Sequence, residues 1–280
     1  MSFLAPNEIA KSASNLGEKK GKMSVAKISL PGILAGAYIA FAAVACLTIG
    51  SGWVGDWVAS GLNKAAGAAA FTVGLILVVV AGAELFTGNN MYVAISFLER
   101  RTTLPQLLRN WIAVFIANFI GALIIVAIVY WGGFLFQNGE LSAFGAKAVA
   151  TAQTKMSYDW GAAFLRGIGC NWLVCLAVWM SLGAQDIIGK IFACFFPIFT
   201  FVLCGFEHSV ANMFFIPTGI LAAQGSVDIL TFGNFFTANL IPVTLGNIVG
   251  GAIFVGMFYY FTYLHADRKA DKSKSDSAAA

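Results

Sequence analysis

The chain has 280 residues, 59% of them hydrophobic and only 11% charged, with a mean hydropathy of +0.80 and a formal net charge of +4. Soluble domains carry about 25% charged residues, so a soluble fold is excluded. The chain reads as one integral membrane domain surrounded by lipid, with no nucleic-acid partner.

Residues 1–24 contain no apolar core of the kind a cleavable signal peptide needs. Leu4, Ile9, Ala10, Ala13 and Leu16 instead predict a short amphipathic helix lying on the membrane surface. Residues 1–27 are thus a cytoplasmic N-terminal segment. A crossing takes about 20 mostly apolar residues, and six stretches qualify: 29–54, 65–98, 107–133, 160–182, 190–223 and 235–264. They form an all-α transmembrane domain over 28–264, followed by a disordered cytoplasmic tail, 265–280. Cys46, Cys170, Cys175, Cys194 and Cys204 all fall in apolar segments without metal-ligand or disulfide spacing. Neither a metal nor a cofactor is expected. With the N-terminus inside, thirteen of the 17 basic residues fall on the inner side and only Lys64, Lys147, Lys155 and Arg166 on the outer. The positive-inside rule then places both termini in the cytoplasm, in a multi-pass protein of the cell inner (plasma) membrane.

The sequence repeats itself. Asn110, Asn118 and Gly121 in the third stretch and Asn239, Asn247 and Gly250 in the sixth share the spacing Asn-x7-Asn-x2-Gly. Gly82-Ala83-Glu84 followed by Asn90-Met91 in the second matches Gly205-Phe206-Glu207 followed by Asn212-Met213 in the fifth. Leu34-x-Gly36 in the first matches Leu165-x-Gly167 in the fourth. Three spans per copy is an odd number, so the copies enter the membrane from opposite sides, as inverted repeats do in many transporters. The second and fifth stretches are longer than one crossing and are interrupted by polar residues. Broken backbone at membrane depth must be buried in protein or line a cavity. Two broken helices facing each other across a pseudo-twofold describe a pore.

Glu207 and His208 form an ionisable pair inside an otherwise uncharged stretch, and such residues usually face a bundle interior or a substrate path. The structural alternative is a core histidine that holds a helix break together.

The segments Glu84-Leu85-Phe86-Thr87-Gly88-Asn89, Cys170-Asn171-Trp172-Leu173-Val174-Cys175-Leu176-Ala177, Gly205-Phe206-Glu207-His208-Ser209-Val210-Ala211-Asn212-Met213 and Asn239-Leu240-Ile241-Pro242-Val243-Thr244-Leu245-Gly246-Asn247 resemble signatures of the formate–nitrite transporter family. The resemblance spans residues 25–264. It implies an aquaporin-like protomer in a homopentamer, one pore per protomer, passing small monovalent weak-acid anions. Formate leads, and nitrite and hydrosulfide are the alternatives within the family. By position, the resemblance makes His208 the central pore histidine and Thr87 the hydroxyl opposite it. Lys155, with Asn171 nearby, becomes the lysine that draws anions into the outer vestibule. Leu85 matches an inner constriction, Phe71, Leu75 and Phe201 match further constriction positions, and Asn212 and Asn247 line or brace the centre. Thr87-Gly88-Asn89-Asn90 departs from the loops of both formate and nitrite channels, while Phe215-Ile216-Pro217 leans toward formate.

Bland alternatives stand beside these roles: Glu84 and Glu207 bonded to exposed backbone at the breaks, Thr87 as a half-helix cap, Lys155 as an interface lysine with its head in water. The proton donor, His208 or vestibule water, stays open. An enzyme would need a nucleophile with a base or paired acids, and one His beside one Glu supplies neither, so no catalytic residue is assigned. A neutral-solute channel with Asn-Pro-Ala at both half-helices is disfavoured by Asn-Asn-Met and Asn-Met-Phe.

Overall fold

The computed structural model describes residues 3–52 and 60–266. The end of the first expected span, at 53–54, and nearly all of the expected tail, at 267–280, lie outside the described residues. Among the described residues, ten helices and one hairpin follow in chain order: α1 (Pro6–Lys22), α2 (Val25–Ser51), α3 (Gly61–Gly82), α4 (Phe86–Leu98), α5 (Leu104–Trp131), a two-stranded hairpin (Phe136–Gln137 with Glu140–Leu141), α6 (Ala143–Met156), α7 (Trp160–Gly183), α8 (Ile187–Leu203), α9 (Ser209–Ala223) and α10 (Phe232–Tyr263). Five of these, α2, α3, α5, α7 and α10, are long and apolar enough to cross a membrane, and α8 and α9 are shorter apolar helices. The molecule is an all-α, multi-spanning membrane bundle.

Helix starts follow polar caps. The side chains of Ser142, Asp159, Asp186 and Thr231 accept the backbone N–H of Gly145, Ala162, Gly189 and Asn234 at 2.9, 2.8, 2.7 and 3.2 Å. Thr103 and Gln106 form a reciprocal capping box at the start of α5. Small residues then let the long helices touch. A Cβ on Gly36 would lie 1.9 Å from the Asn118 carbonyl oxygen, and one on Gly246 would lie 2.1 Å from that of Phe164. These close approaches join α2 to α5 and α7 to α10, as expected where lipid gives helices no hydrophobic drive to associate. The opposite face of α5 presents Leu108, Ile112, Ile116, Ile120, Ile124 and Ile128, one per turn and all exposed.

Two features differ from the sequence reading. The helix over Pro6–Lys22 forms, but its apolar face is not spread on a membrane surface. Ile9, Ala10, Ala13 and Gly17 are buried against the protein, and a Cβ on Gly17 would lie 1.9 Å from the Tyr92 carbonyl oxygen of α4. Arg101 bonds Asn15 at 2.6 Å and Glu18 at 2.5 Å, and Arg109 bonds the Gly21 carbonyl at 2.9 Å, so the segment is latched to the bundle. The second feature is α6 with its preceding hairpin, which in sequence reads only as a link. Its low hydropathy hides it, yet Ala148 and Ala152 are fully buried, and Ala152 packs where Gly219 of α9 leaves room.

Candidate functional site

Both expected interruptions are breaks in the backbone. Gly82 (φ +86°) ends α3 and Gly205 (φ +70°) follows α8, each in a conformation that an L side chain would strain. Extended residues follow, and a new half-helix starts after Leu85 and after His208. Breaking a helix in the bundle frees donors and acceptors that have no water to meet. Two asparagines meet them. Asn118 accepts the Phe86 N–H at 2.9 Å and donates to the carbonyls of Gly32 at 2.8 Å and Glu84 at 2.9 Å. Asn247 accepts the Ser209 N–H at 2.9 Å and donates to the carbonyls of Gly167 at 2.8 Å and Glu207 at 3.0 Å.

The same bonding recurs one shell out. Asn89 donates to Glu84 Oε2 at 2.8 Å and to Asn110 Oδ1 at 3.0 Å, while Asn212 donates to Glu207 Oε2 and to Asn239 Oδ1, both at 2.7 Å. Asn110 donates to the Lys20 carbonyl at 3.0 Å, and Asn239 to the Lys155 carbonyl at 2.9 Å. Lys20 Nζ then reaches Glu84 at 2.5 Å, as Lys155 Nζ reaches Glu207 at 2.9 Å. Two details of the sequence repeat shift. Asn89, not Asn90, matches Asn212, and Gly32, not Gly36, matches Gly167. Sequence reasoning misses Lys20 altogether, because it lies on α1, outside the stretch compared. A basic residue near the end of the helix preceding each copy is the available signal.

Lys155 is not a free cation. It is tied to Glu207, with side chains only 14% and 3% exposed, and lies 5.3 Å from the centre of the Phe215 ring. Asn171 does not stand beside it. The Asn171 amide donates to the carbonyls of Asn247 at 2.6 Å and Thr87 at 3.1 Å and to Asn90 Oδ1 at 3.1 Å, tying the half-helix α4 to α10. Asn212 and Asn247 brace, and Glu207 anchors the break and Lys155 at once.

His208 and Thr87 meet as expected, with Nε2 2.9 Å from Oγ1 and both residues buried. His208 Nδ1 accepts the Ala211 N–H at 3.1 Å, which caps α9 and fixes the proton of the neutral ring on Nε2. The Nε2–H therefore donates toward Thr87. Above His208 opens a cavity of about 630 Å³, walled in part by Lys64, Lys147, Lys155 and Arg166. The four basic residues that the sequence places on the outer side all line this one chamber. At its floor Phe71 meets Phe201 edge to face at 5.9 Å and stacks on Phe215 at 6.1 Å. Beneath the aromatic floor lies a second space of about 10 Å³, bounded by Phe71, Leu75, Leu85, Phe201 and His208. That is about the room one water needs. The expected constriction residues thus come together around the histidine. Chemically, the arrangement offers a basic antechamber, an aromatic gate and one neutral hydrogen-bond donor in an apolar neck.

A family profile described as "Formate/nitrite transporter" matches residues 7–261. A "Probable formate transporter" of Methanothermobacter thermautotrophicus is 45% identical over 274 residues, covering 94% of this chain and 98% of that protein. "Formate channel FocA" of Escherichia coli (strain K12) is 37% identical over 277 residues, covering 94% of this chain and 95% of that protein. Among solved structures, a "Pentameric formate channel with formate bound" superposes with a TM-score of 0.74 at 37% identity, covering 86% of this chain and 98% of that one.

Proposed function

The chain belongs to the formate/nitrite transporter family, and from that premise we propose that it carries formate across the membrane as a proton-linked channel, not as an enzyme. Its assembly is a homopentamer with one passage per subunit. The names of its relatives, formate transporters and formate channels, and the pentameric neighbour with formate bound support both statements. We read residues 28–264 as six spans in two inverted three-helix repeats, the second and fifth broken, with both termini cytoplasmic. The duplicated bonding around Glu84 and Glu207 supports the repeat, and the basic residues of the inner loops support the orientation.

The observation that carries the mechanism is the His208–Thr87 hydrogen bond in a narrow apolar neck directly below a basic chamber. Positive charge at the mouth raises the local concentration of formate. A bare anion entering the neck loses several kcal/mol of hydration even after relaxation. Low dielectric favours the neutral acid, so the carboxylate takes a proton before it crosses. His208 is poorly placed to give that proton. Its Nδ1 is occupied by the Ala211 N–H, and losing the Nε2 proton would leave an imidazolate. Water in the chamber therefore supplies the proton, leaving hydroxide behind. His208 Nε2–H and the Thr87 hydroxyl receive the forming acid by hydrogen bonding, and Phe71, Phe201 and Leu85 move aside to pass it.

Proteoliposome flux with a pH jump tests this, comparing formate, nitrite, hydrosulfide, acetate and lactate. Formate should be fastest and accelerated by external acid. Nitrite or hydrosulfide outrunning formate moves the substrate within the family, and absence of anion flux with passage of an uncharged solute overturns the reading.

A further inference from the structure

The chamber above His208 is far larger and more basic than a one-carbon anion requires. Its volume is about 630 Å³, and Glu207 is the only acid among the described residues lining it. Lys155 neutralises Glu207, and Arg166 is drawn to the Gly205 carbonyl at 2.7 Å and stacked 4.1 Å from the Tyr158 ring. The ammonium groups of Lys64 and Lys147, on α3 and α6, have no hydrogen-bond or ion-pair partner among the described residues, although both side chains belong to the cavity lining. Among the described residues, net charge in the lining is thus positive, and two of its ammonium groups are unpaired.

We infer that the chamber is a binding site for a compact polycarboxylate, an anion with two or three carboxylates, that lodges there without being carried. Two lysines on separate helices, unpaired among the described residues, with an arginine on a third, suit several separated carboxylates, whereas one small monoanion engages only one at a time. Such a ligand cannot follow formate. The space below the aromatic floor holds about one water, so even formate needs Phe71, Phe201 and Leu85 to move aside; a polycarboxylate needs a far wider opening, and neutralising each further carboxylate demands a further proton. A seated polycarboxylate also cancels the field that gathers formate. It is therefore a plug that blocks from the lysine-rich side.

A natural thiol reports occupancy without reference to transport. Cys204 is exposed and lines the same cavity, and Cys170, Cys175 and Cys194 are buried. In purified full-length chain carrying Cys46→Ala, the rate at which a small uncharged maleimide labels Cys204 is followed by mass spectrometry. Tricarballylate should slow labelling severalfold, while propionate and chloride at matched ionic strength should not. Tricarballylate on the lysine-rich side should also inhibit formate flux with the same concentration dependence. Lys64→Gln and Lys147→Gln should each raise the half-inhibitory concentration by about fivefold, the value of one exposed ion pair near 1 kcal/mol. Labelling unaffected by tricarballylate, or slowed equally in the Lys64→Gln/Lys147→Gln double variant, overturns the site. Because labelling is read on purified protein, a chain that proves to carry no formate still shows whether the chamber holds the polycarboxylate.

Discussion

Leu85 and His208 occupy the same place in the two breaks. Each is the last extended residue before a half-helix, with φ/ψ of −102°/127° and −107°/115°. In each case the next backbone N–H is taken by an asparagine, Asn118 or Asn247, at 2.9 Å. The backbone scaffold is duplicated and the side chain is not. At one break leucine adds an apolar wall, and at the other histidine caps its own helix and reaches Thr87. Thr87 stands two residues after Leu85, so the polar contact joins non-equivalent positions. The asymmetry between Leu85 and His208 is where the chemistry resides.

The bracing asparagines are the first test. Asn247 makes three hydrogen bonds while fully buried. Replacing it with leucine keeps the volume and strands two carbonyls and one N–H. Since an unsatisfied buried group costs about 1–3 kcal/mol, Asn247→Leu should lower the detergent melting temperature sharply or prevent oligomer assembly, as should Asn118→Leu. Wild-type melting for both would show that the breaks are held by packing alone.

Much of this is legible in the sequence. Charge segregation marks the membrane class, and the Asn-x7-Asn-x2-Gly spacing marks the two braces because hydrogen bonding to broken backbone fixes residue type. What escapes has a physical reason. The dipeptides Asn90-Met91 and Asn212-Met213 look alike, but only a residue five positions after each glutamate reaches its carboxylate, which selects Asn89. The family resemblance puts Asn171 beside Lys155, whereas its amide is spent on backbone at the centre. α6 is too polar to read as a span and too short to stand alone, so only its packing against α9 defines it.

The docking of α1 provides the second test. Gly17 sits against the Tyr92 carbonyl, and Lys20 pairs with Glu84 at 2.5 Å. Lys11 and Lys19 are exposed but held in a docked helix; Gly17→Val should force the helix away and let its backbone open into trypsin at these lysines, speeding cleavage at least tenfold (roughly the effect of 1.4 kcal/mol on local opening). Cleavage at the wild-type rate would mean that the contact is slack.

Lys155 and Glu207 should behave as a unit. Lys155→Ala leaves a carboxylate only 3% exposed and uncompensated, facing the chamber. Breaking a buried pair costs about 3–5 kcal/mol, and the stranded charge repels formate. Uptake should therefore fall at low formate more than at saturation, and Lys155→Arg should keep much of it. Adding Glu207→Gln to Lys155→Ala removes the stranded charge, so stability and low-concentration uptake should both recover substantially. A double variant as poor as Lys155→Ala alone would make Lys155 a direct ligand of the anion and refute the pairing account.

His208 offers the sharpest test, because its two nitrogens do different work. His208→Phe removes both the cap on the Ala211 N–H and the donor toward Thr87, while filling the neck. One hydrogen bond to a charged or forming-acid partner is worth about 1.5–3 kcal/mol, so formate uptake should fall by about ten- to a hundredfold. His208→Asn preserves a cap, since asparagine accepts well at that position, but its shorter side chain leaves a wetter gap beside Thr87. Formate should then pass without its proton and carry current in a planar bilayer, where the wild-type protein should be electrically silent. The wild-type rate should rise with external acid, because the proton is a co-substrate supplied by chamber water, and His208→Asn should lose most of that dependence. If both variants take up formate at the wild-type rate with an unchanged pH profile, His208 is only the cap of α9, and the selective step lies at the aromatic floor formed by Phe71, Phe201 and Phe215.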